Sequence, residues 1–227
     1  MSKELIIAID GPAASGKGTL AKELAEYFQY IYVDTGSMYR AVTYKTIQSG
    51  IDVNDEEKIM EMLAHTTITI TPEHTTLLDQ VDVSEAIREN QVSENVSYVA
   101  VHPRVREKLV DLQRDIASQG GSVLDGRDIG TVVLPNADVK IYLTASVEAR
   151  AMRRQLDNES RGITSTFEQV RDNLALRDKI DSTREVAPLK QADDAILLDS
   201  TTLTIPQTYA AAIEIIEQAR KNKKLSE

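Results

Sequence analysis

The stretch from Leu5 to Thr19, LIIAIDGPAASGKGT, decides the fold. Leu5–Ile9 is a short apolar run rich in β-branched residues, the pattern of a strand buried on both faces. Glycines at 11 and 16 with Lys17 directly behind them give the spacing GxxxxGK of a phosphate-binding loop. Leu20, Leu24, Tyr27 and Phe28 then fall on one apolar stripe, so a helix opens where the loop ends. Strand, loop and helix in this order let backbone N–H groups turn inward onto phosphate oxygens, with the helix N-terminus adding partial positive charge. The expected contacts are Gly11, Pro12, Ala13, Ala14, Ser15, Gly16, Lys17, Gly18 and Thr19, with Lys17 as a mobile cation held outside the core. An ordinary tight turn would need neither the lysine nor this glycine spacing. One departure stands out: the usual pattern places Ser or Thr after the lysine to help hold Mg²⁺, whereas here Gly18 intervenes and the hydroxyl comes at Thr19.

Working outward, strands are expected at Tyr30–Val33, Ser122–Leu124, Val139–Leu143 and Ala195–Leu198, alternating with helical segments. One helix is predicted over Pro103–Ser118, stopped by Gly120, and the last begins at a T-x-x-Q capping box, Thr204 to Gln207. This alternation predicts an α/β fold, a mainly parallel sheet covered by helices on both faces. Two segments interrupt it. Thr66–Thr71, Thr75–Leu78 and Val81–Val83, with Pro72-Glu73-His74 between the first two, read as a small antiparallel meander, either a covering flap or a substrate-binding element. The basic stretch from Arg150 to Arg184 is helical, with a polar hinge over 157–162 that suits a short helical lid at about 150–165. The expected division is therefore a core of residues 1–65 and 93–227 and an insertion of residues 66–92.

Composition narrows the function. With 36 acidic against 26 basic residues the net charge is −10, which argues against binding a nucleic-acid polymer or an anionic membrane. The absence of cysteine excludes thiol chemistry and disulfides. No apolar run approaches the ~18 residues of a membrane span, and the run before Asp10 is too short for a signal-peptide core, so a cytoplasmic location is expected. His65, His74 and His102 have no ligand cluster in sequence and read as structural or exposed; no protein metal site is expected.

Arginines and aspartates recur in the loops. Asp34-Thr35-Gly36-Ser37-Met38-Tyr39-Arg40 and Asp125-Gly126-Arg127-Asp128 each follow a strand, where ligands of open α/β sheets bind. Surface salt bridges and helix caps are the plain alternatives, and Asp34 reads as a cap or a partner in a metal's shell. Arg153, Arg154 and Arg161 read either as lid residues or as a solvated helix face; Arg150 and Arg171 read as the solvated face.

Taken in order, GPAASGKGT, DTGSMYR, HPRVR, DGRDIGTVVLP and RDKIDSTREVAPL resemble the bacterial cytidylate kinase family of nucleoside monophosphate kinases over essentially the whole chain. The resemblance implies a P-loop NTPase core with a five-stranded parallel sheet flanked by helices, and transfer of the γ-phosphoryl of ATP to CMP or dCMP, with Mg²⁺ held mainly through nucleotide phosphates and water; a monomer is expected. It also implies that Arg40 and Arg127 hold the acceptor phosphate, that Thr35, Arg106, Asp128 and Arg184 face the cytosine, and that Ser97, Arg177 and Asp181 meet the sugar. Lys17, Arg127, Arg153, Arg154 and Arg177 become the candidate catalytic groups. Asp128 either accepts from the cytosine amino group or braces Arg127. Another small-acceptor kinase and a slowly hydrolysing regulatory switch are the competing readings. A GTPase switch would want an NKxD motif, which the chain lacks.

Overall fold

The computed structural model of the protein describes residues 4–71 and 73–226, with side chains up to residue 222; Pro72, assigned to the meander from sequence, lies outside them. In chain order the strands are β1 (Ile6–Asp10), β2 (Ile31–Asp34), β3 (Ile68–Ile70), β4 (Thr76–Leu78), β5 (Val81–Asp82), β6 (Ser122–Gly126), β7 (Val139–Thr144) and β8 (Ile196–Asp199). The helices are α1 (Lys17–Phe28), α2 (Thr35–Gln48), α3 (Glu56–Leu63), α4 (Asn90–Val99), α5 (Pro103–Ala117), α6 (Val147–Ser160), α7 (Phe167–Thr183) and α8 (Ile205–Ser226).

Five strands form a parallel sheet in the order β2-β6-β1-β7-β8. The apolar runs at its centre lack alternation because both faces are covered. Ala8, Val33 and Leu124 pack with α2, α4 and α5 on one face, while Ile7, Ile9, Val123 and Ile141 pack with α1 and α8 on the other. Each such fully buried Leu or Ile stabilises the fold by ~1.5–3 kcal/mol. Strand β6 runs two residues beyond the expected Leu124, because Asp125 and Gly126 stay paired with Ile9 and Asp10 of β1. That extension carries Asp125 to the edge of the sheet where the loop after β1 also emerges.

The meander is present as the antiparallel sheet β3-β4-β5, followed by a 3₁₀ turn over Ala86–Arg88. Helix α8 starts as its capping box dictates, with Thr204 N donating to Gln207 Oε1 at 2.9 Å. A second capping box, Thr166 to Gln169, starts α7 and was not singled out from sequence. Among the described residues no helix is long and apolar enough to cross a membrane.

Candidate active site

The phosphate loop is shaped by two glycines. Gly11 has φ 149°, and a Cβ there would lie 1.9 Å from the carbonyl oxygen of Leu143 on β7, so only glycine lets β1 and β7 approach this closely. Gly16 has φ 97° at the N-terminus of α1, the left-handed region that turns the loop into the helix. Lys17 follows as the first helical residue. Contrary to the sequence expectation of an outlying cation, its side chain is buried and Nζ donates to the Pro12 carbonyl at 2.9 Å. The loop curls over its own lysine. Burial, and then the nearby Arg127 guanidinium, push the ammonium's pKa down to about 7.

Two arginines of α6, Arg150 and Arg153, hold the loop from behind, and only the first departs from its sequence reading. Arg150, read there as solvated, is buried: it donates to the Ala13 carbonyl of the loop at 3.2 Å and to the Ala145 carbonyl at 2.9 Å, and pairs with Asp178 at 2.7 Å. The error has a physical cause, since helical period cannot say which charged face meets a carbonyl-lined loop. Arg153 donates to the Ser15 carbonyl at 3.2 Å and to Ser200 Oγ at 3.0 Å, tying the loop to the end of β8. Arg171 is on the solvated face as expected, paired with its neighbour Asp172 at 2.7 Å.

Across the cleft, β2 and β6 deliver the second group. Asp34 caps α2 by accepting from Ser37 N at 3.0 Å, which is the capping alternative realised. The Thr35 hydroxyl donates to the Asp125 carbonyl at 2.7 Å. Arg40 donates to the Ile87 carbonyl at 3.2 Å and to Ser93 Oγ at 2.9 Å. Asp181 of α7 accepts from Arg127 Nε at 2.9 Å and from Ser97 Oγ at 3.1 Å, so residues more than fifty positions apart in the chain form one node. Burial works against the Asp181 charge, but Arg127, Arg177 and Arg184 outweigh it and hold the carboxyl below its ordinary value.

Asp128 does not brace Arg127, as one sequence alternative had it. Its carboxylate pairs with Arg106 at 2.5 Å and lies 3.5 Å from Arg184, all three side chains being buried. Arg106 also stacks over the Tyr39 ring, 5.3 Å from its centroid. The segment after Asp128 is pinned to the sheet by Asp10, which accepts from the backbone N–H groups of Ile129 and Gly130, both at 2.7 Å.

One cleft of about 1110 Å³ joins these groups. It brings together Ala13 to Thr19, Thr35, Arg40, Ser97, Arg106, Arg127, Asp128, Arg153, Arg154, Arg177, Asp181 and Arg184. Gly11 and Pro12 are buried behind the loop and shape it without lining the cleft. Between the two groups positive charge is in excess. Burial and then the mutual repulsion of Arg40, Arg177 and Arg154 push the Arg40 guanidinium well below its usual range. Burial and the adjoining Arg127 lower Arg177 to about 10. Partly or fully buried guanidiniums that repel one another are a site built for a polyanion.

Sequence reasoning gave no role to Tyr32, Asp125 or Arg88, all of which line this cleft. Asp125 had a signal: a carboxylate at the end of a buried strand, beside the phosphate-loop strand. Burial, and then the neighbouring Asp34, push it up to about 7. His65 is exposed, while His102 is fixed by the Val53 carbonyl at 2.7 Å and His74 packs edge-on to Tyr32. Among the described residues there is no cluster of three His, Cys, Asp or Glu side chains suited to a metal.

A sequence model of the family described as cytidylate kinase matches residues 7–218. The chain belongs to the cytidylate kinase family. A cytidylate kinase of Anoxybacillus flavithermus is 52% identical over 96% of this chain and 98% of the relative. A cytidylate kinase of an Exiguobacterium species is 50% identical over 97% of this chain and all of the relative. Among solved structures, an uncharacterized protein from Eubacterium ventriosum superposes with a TM-score of 0.50 at 13% identity, over 96% of this chain and 99% of that one, a likeness of fold alone.

Proposed function

We propose that this chain transfers the γ-phosphoryl group of ATP to CMP or dCMP, giving ADP and CDP or dCDP. The observation that carries the reading is one cleft with a phosphate loop at one end and the buried Arg106–Asp128–Arg184 array at the other, with mutually repelling arginines between them. Cytosine offers an amino donor and ring acceptors, and an aspartate beside two arginines offers the complementary set.

The phosphate loop and Lys17 hold the ATP phosphates. Arg40 and Arg127 hold the acceptor phosphate, Arg106, Asp128, Arg184 and Thr35 read the base, and Ser97, Arg177 and Asp181 bind the sugar. An acceptor phosphate is already an anionic nucleophile at neutral pH, so no general base is required. The work of the side chains is positioning in line and neutralising charge on the moving phosphoryl group, to which Lys17, Arg127, Arg153, Arg154 and Arg177 contribute. The donor set suits Mg²⁺ bound largely through nucleotide oxygens and water, with the Thr19 hydroxyl and the carboxylates of Asp34 and Asp125 at hand on the same wall. When bound, the ion draws negative charge from the phosphate oxygens.

We assign residues 66–92 to an acceptor-binding insertion and about 150–165 to a lid whose tip, residues 158–165, closes over both nucleotides while its base stays latched to the phosphate loop by Arg150 and Arg153. Arg161, exposed and paired with Asp157 at 3.0 Å and with Glu85 of the insertion at 3.2 Å, already joins lid and insertion. We further propose that the enzyme works as a monomer in the cytoplasm. ADP release measured against a panel of nucleoside monophosphates and their deoxy forms tests the reading. ADP should form only with acceptor, and fastest with CMP or dCMP; acceptor-independent phosphate release would support a hydrolysing switch instead.

A further inference from the structure

Two independent features meet at Tyr32. The phosphate loop lacks a hydroxyl directly after its lysine, where the usual pattern has the Ser or Thr that helps hold the cation. The space at that point is nevertheless occupied: a Cβ built on Gly18 would come within 3.3 Å of Tyr32 Oη. Tyr32 enters from β2, two strands away from β1, and its ring is buried under the start of α1. Its hydroxyl donates to Asp125 Oδ1 at 2.9 Å. The second Asp125 oxygen takes no hydrogen bond among the described residues, and the side chain lines the cleft.

We propose that Tyr32 is a positioning residue for the cation that accompanies the nucleotide: its phenol hydroxyl stands in for the hydroxyl absent at position 18 and fixes the Asp125 carboxylate. The proposal rests on the nucleotide-kinase reading of the cleft. In a loop of the usual kind, one short side chain on the helix brings an oxygen to the cation's surroundings. Here the same place is filled from across the sheet by a long rigid one, and the absence of a Cβ at 18 makes the room. A phenol suits the task because it has one proton to give and a single ring orientation to hold. The His74 ring, 5.1 Å from the Tyr32 ring and nearly perpendicular to it, closes the far side.

Binding of Mn²⁺·ATP to the full chain, followed by electron paramagnetic resonance of the Mn²⁺ without any acceptor, tests this. Outer-shell partners of metal sites are commonly worth ~10–100-fold in metal affinity, and Tyr32→Phe should weaken Mn²⁺·ATP binding within that range. Its affinity for metal-free ATP in chelator, and for CMP, should stay at the wild-type value. Gly18→Ser alone should bring no tightening, because the place is filled. Gly18→Ser added to Tyr32→Phe should recover most of the lost affinity, since the oxygen that crowded position 18 is then gone. Equal Mn²⁺·ATP binding by wild type and Tyr32→Phe would overturn the role of Tyr32. So would a matching loss of metal-free ATP affinity, failure of the second substitution to rescue in a folded double variant, or tighter binding by Gly18→Ser alone. A wild-type chain that binds no Mn²⁺·ATP would instead overturn the kinase reading beneath it.

Discussion

Replacing Lys17 by methionine should cripple catalysis and make the ligand-free protein more stable. The side chain is buried, its ammonium meets one carbonyl, and burial followed by Arg127 depresses its pKa from 10.5 to about 7. At ~1.4 kcal/mol per pKa unit that drop corresponds to at most ~5 kcal/mol of disfavoured charge in the folded state. The Asp125 carboxyl, itself raised to about 7, loses a cationic neighbour in the variant, which offsets much of the gain. A net stabilisation of ~1–2 kcal/mol is expected, raising Tm by ~2–8 °C for a chain of this size. The sign of the pH dependence follows: between pH 7 and 10.5 the unfolded chain holds the proton that the folded chain has lost, so this lysine makes wild-type stability rise with pH across that window. Lys17→Met should lose that rise. Loss of a transition-state contact of ~3–4 kcal/mol lowers turnover by ~10²–10³-fold. Coupled ADP release and calorimetry on the same preparations read both effects. Near-normal turnover in a folded variant would refute the phosphate-loop assignment. A lower Tm with the wild-type pH rise intact would refute the electrostatic argument.

Asp128→Asn should cut kcat/KM for CMP by ~5- to 150-fold and raise UMP relative to CMP, because an amide can face uracil with a donor; an unchanged CMP:UMP ratio would leave Asp128 as only a counter-ion for Arg106 and Arg184. The same variant should lose ~3–5 kcal/mol of stability, read by urea titration, since two buried guanidiniums then lack their shared carboxylate. Asp181, held below its ordinary 3.8 against the cost of burial by Arg127 and its neighbours, contributes stability that is full above pH 3.8 and is lost as pH falls through its lower folded value. Urea midpoints of wild type and Asp181→Asn should therefore converge in acid, and a constant gap would sink the argument. Hydrogen exchange should show residues 158–165 protected only when both nucleotides are bound, whereas the base of α6, latched to the phosphate loop by Arg150 and Arg153, is protected throughout; equal protection of 158–165 without ligand would show a rigid hinge.

The parts of the fold legible in sequence were those set by local pattern. The five apolar runs, the capping box at Thr204, the alternating threonines of the meander and the glycine spacing of the loop each have a short-range physical cause, and each lies where expected to within one or two residues. Apart from Gly11 and Pro12, the candidate residues also gather in one cleft: some follow strands of the parallel sheet, and others sit on α4, α6 and α7, where α7 packs against both of the other two. What misled was charge. Arg150 and Arg171 look alike in sequence, one turning inward to the Ala13 carbonyl and the other paired in solvent with Asp172.

The sequence by itself determined a phosphate-binding loop between a buried strand and a helix, because backbone geometry at Gly11 and Gly16 and the charge of Lys17 act within a few residues of one another. Only the tertiary structure decided which charges neutralise which. Arg127 belongs to Asp181, Arg106 and Arg184 share Asp128, and Tyr32 reaches Asp125 under the start of α1. Those pairings join residues 22 to 93 positions apart, and they exist because desolvated charges and phenols must find partners wherever packing brings them together, which no local pattern encodes.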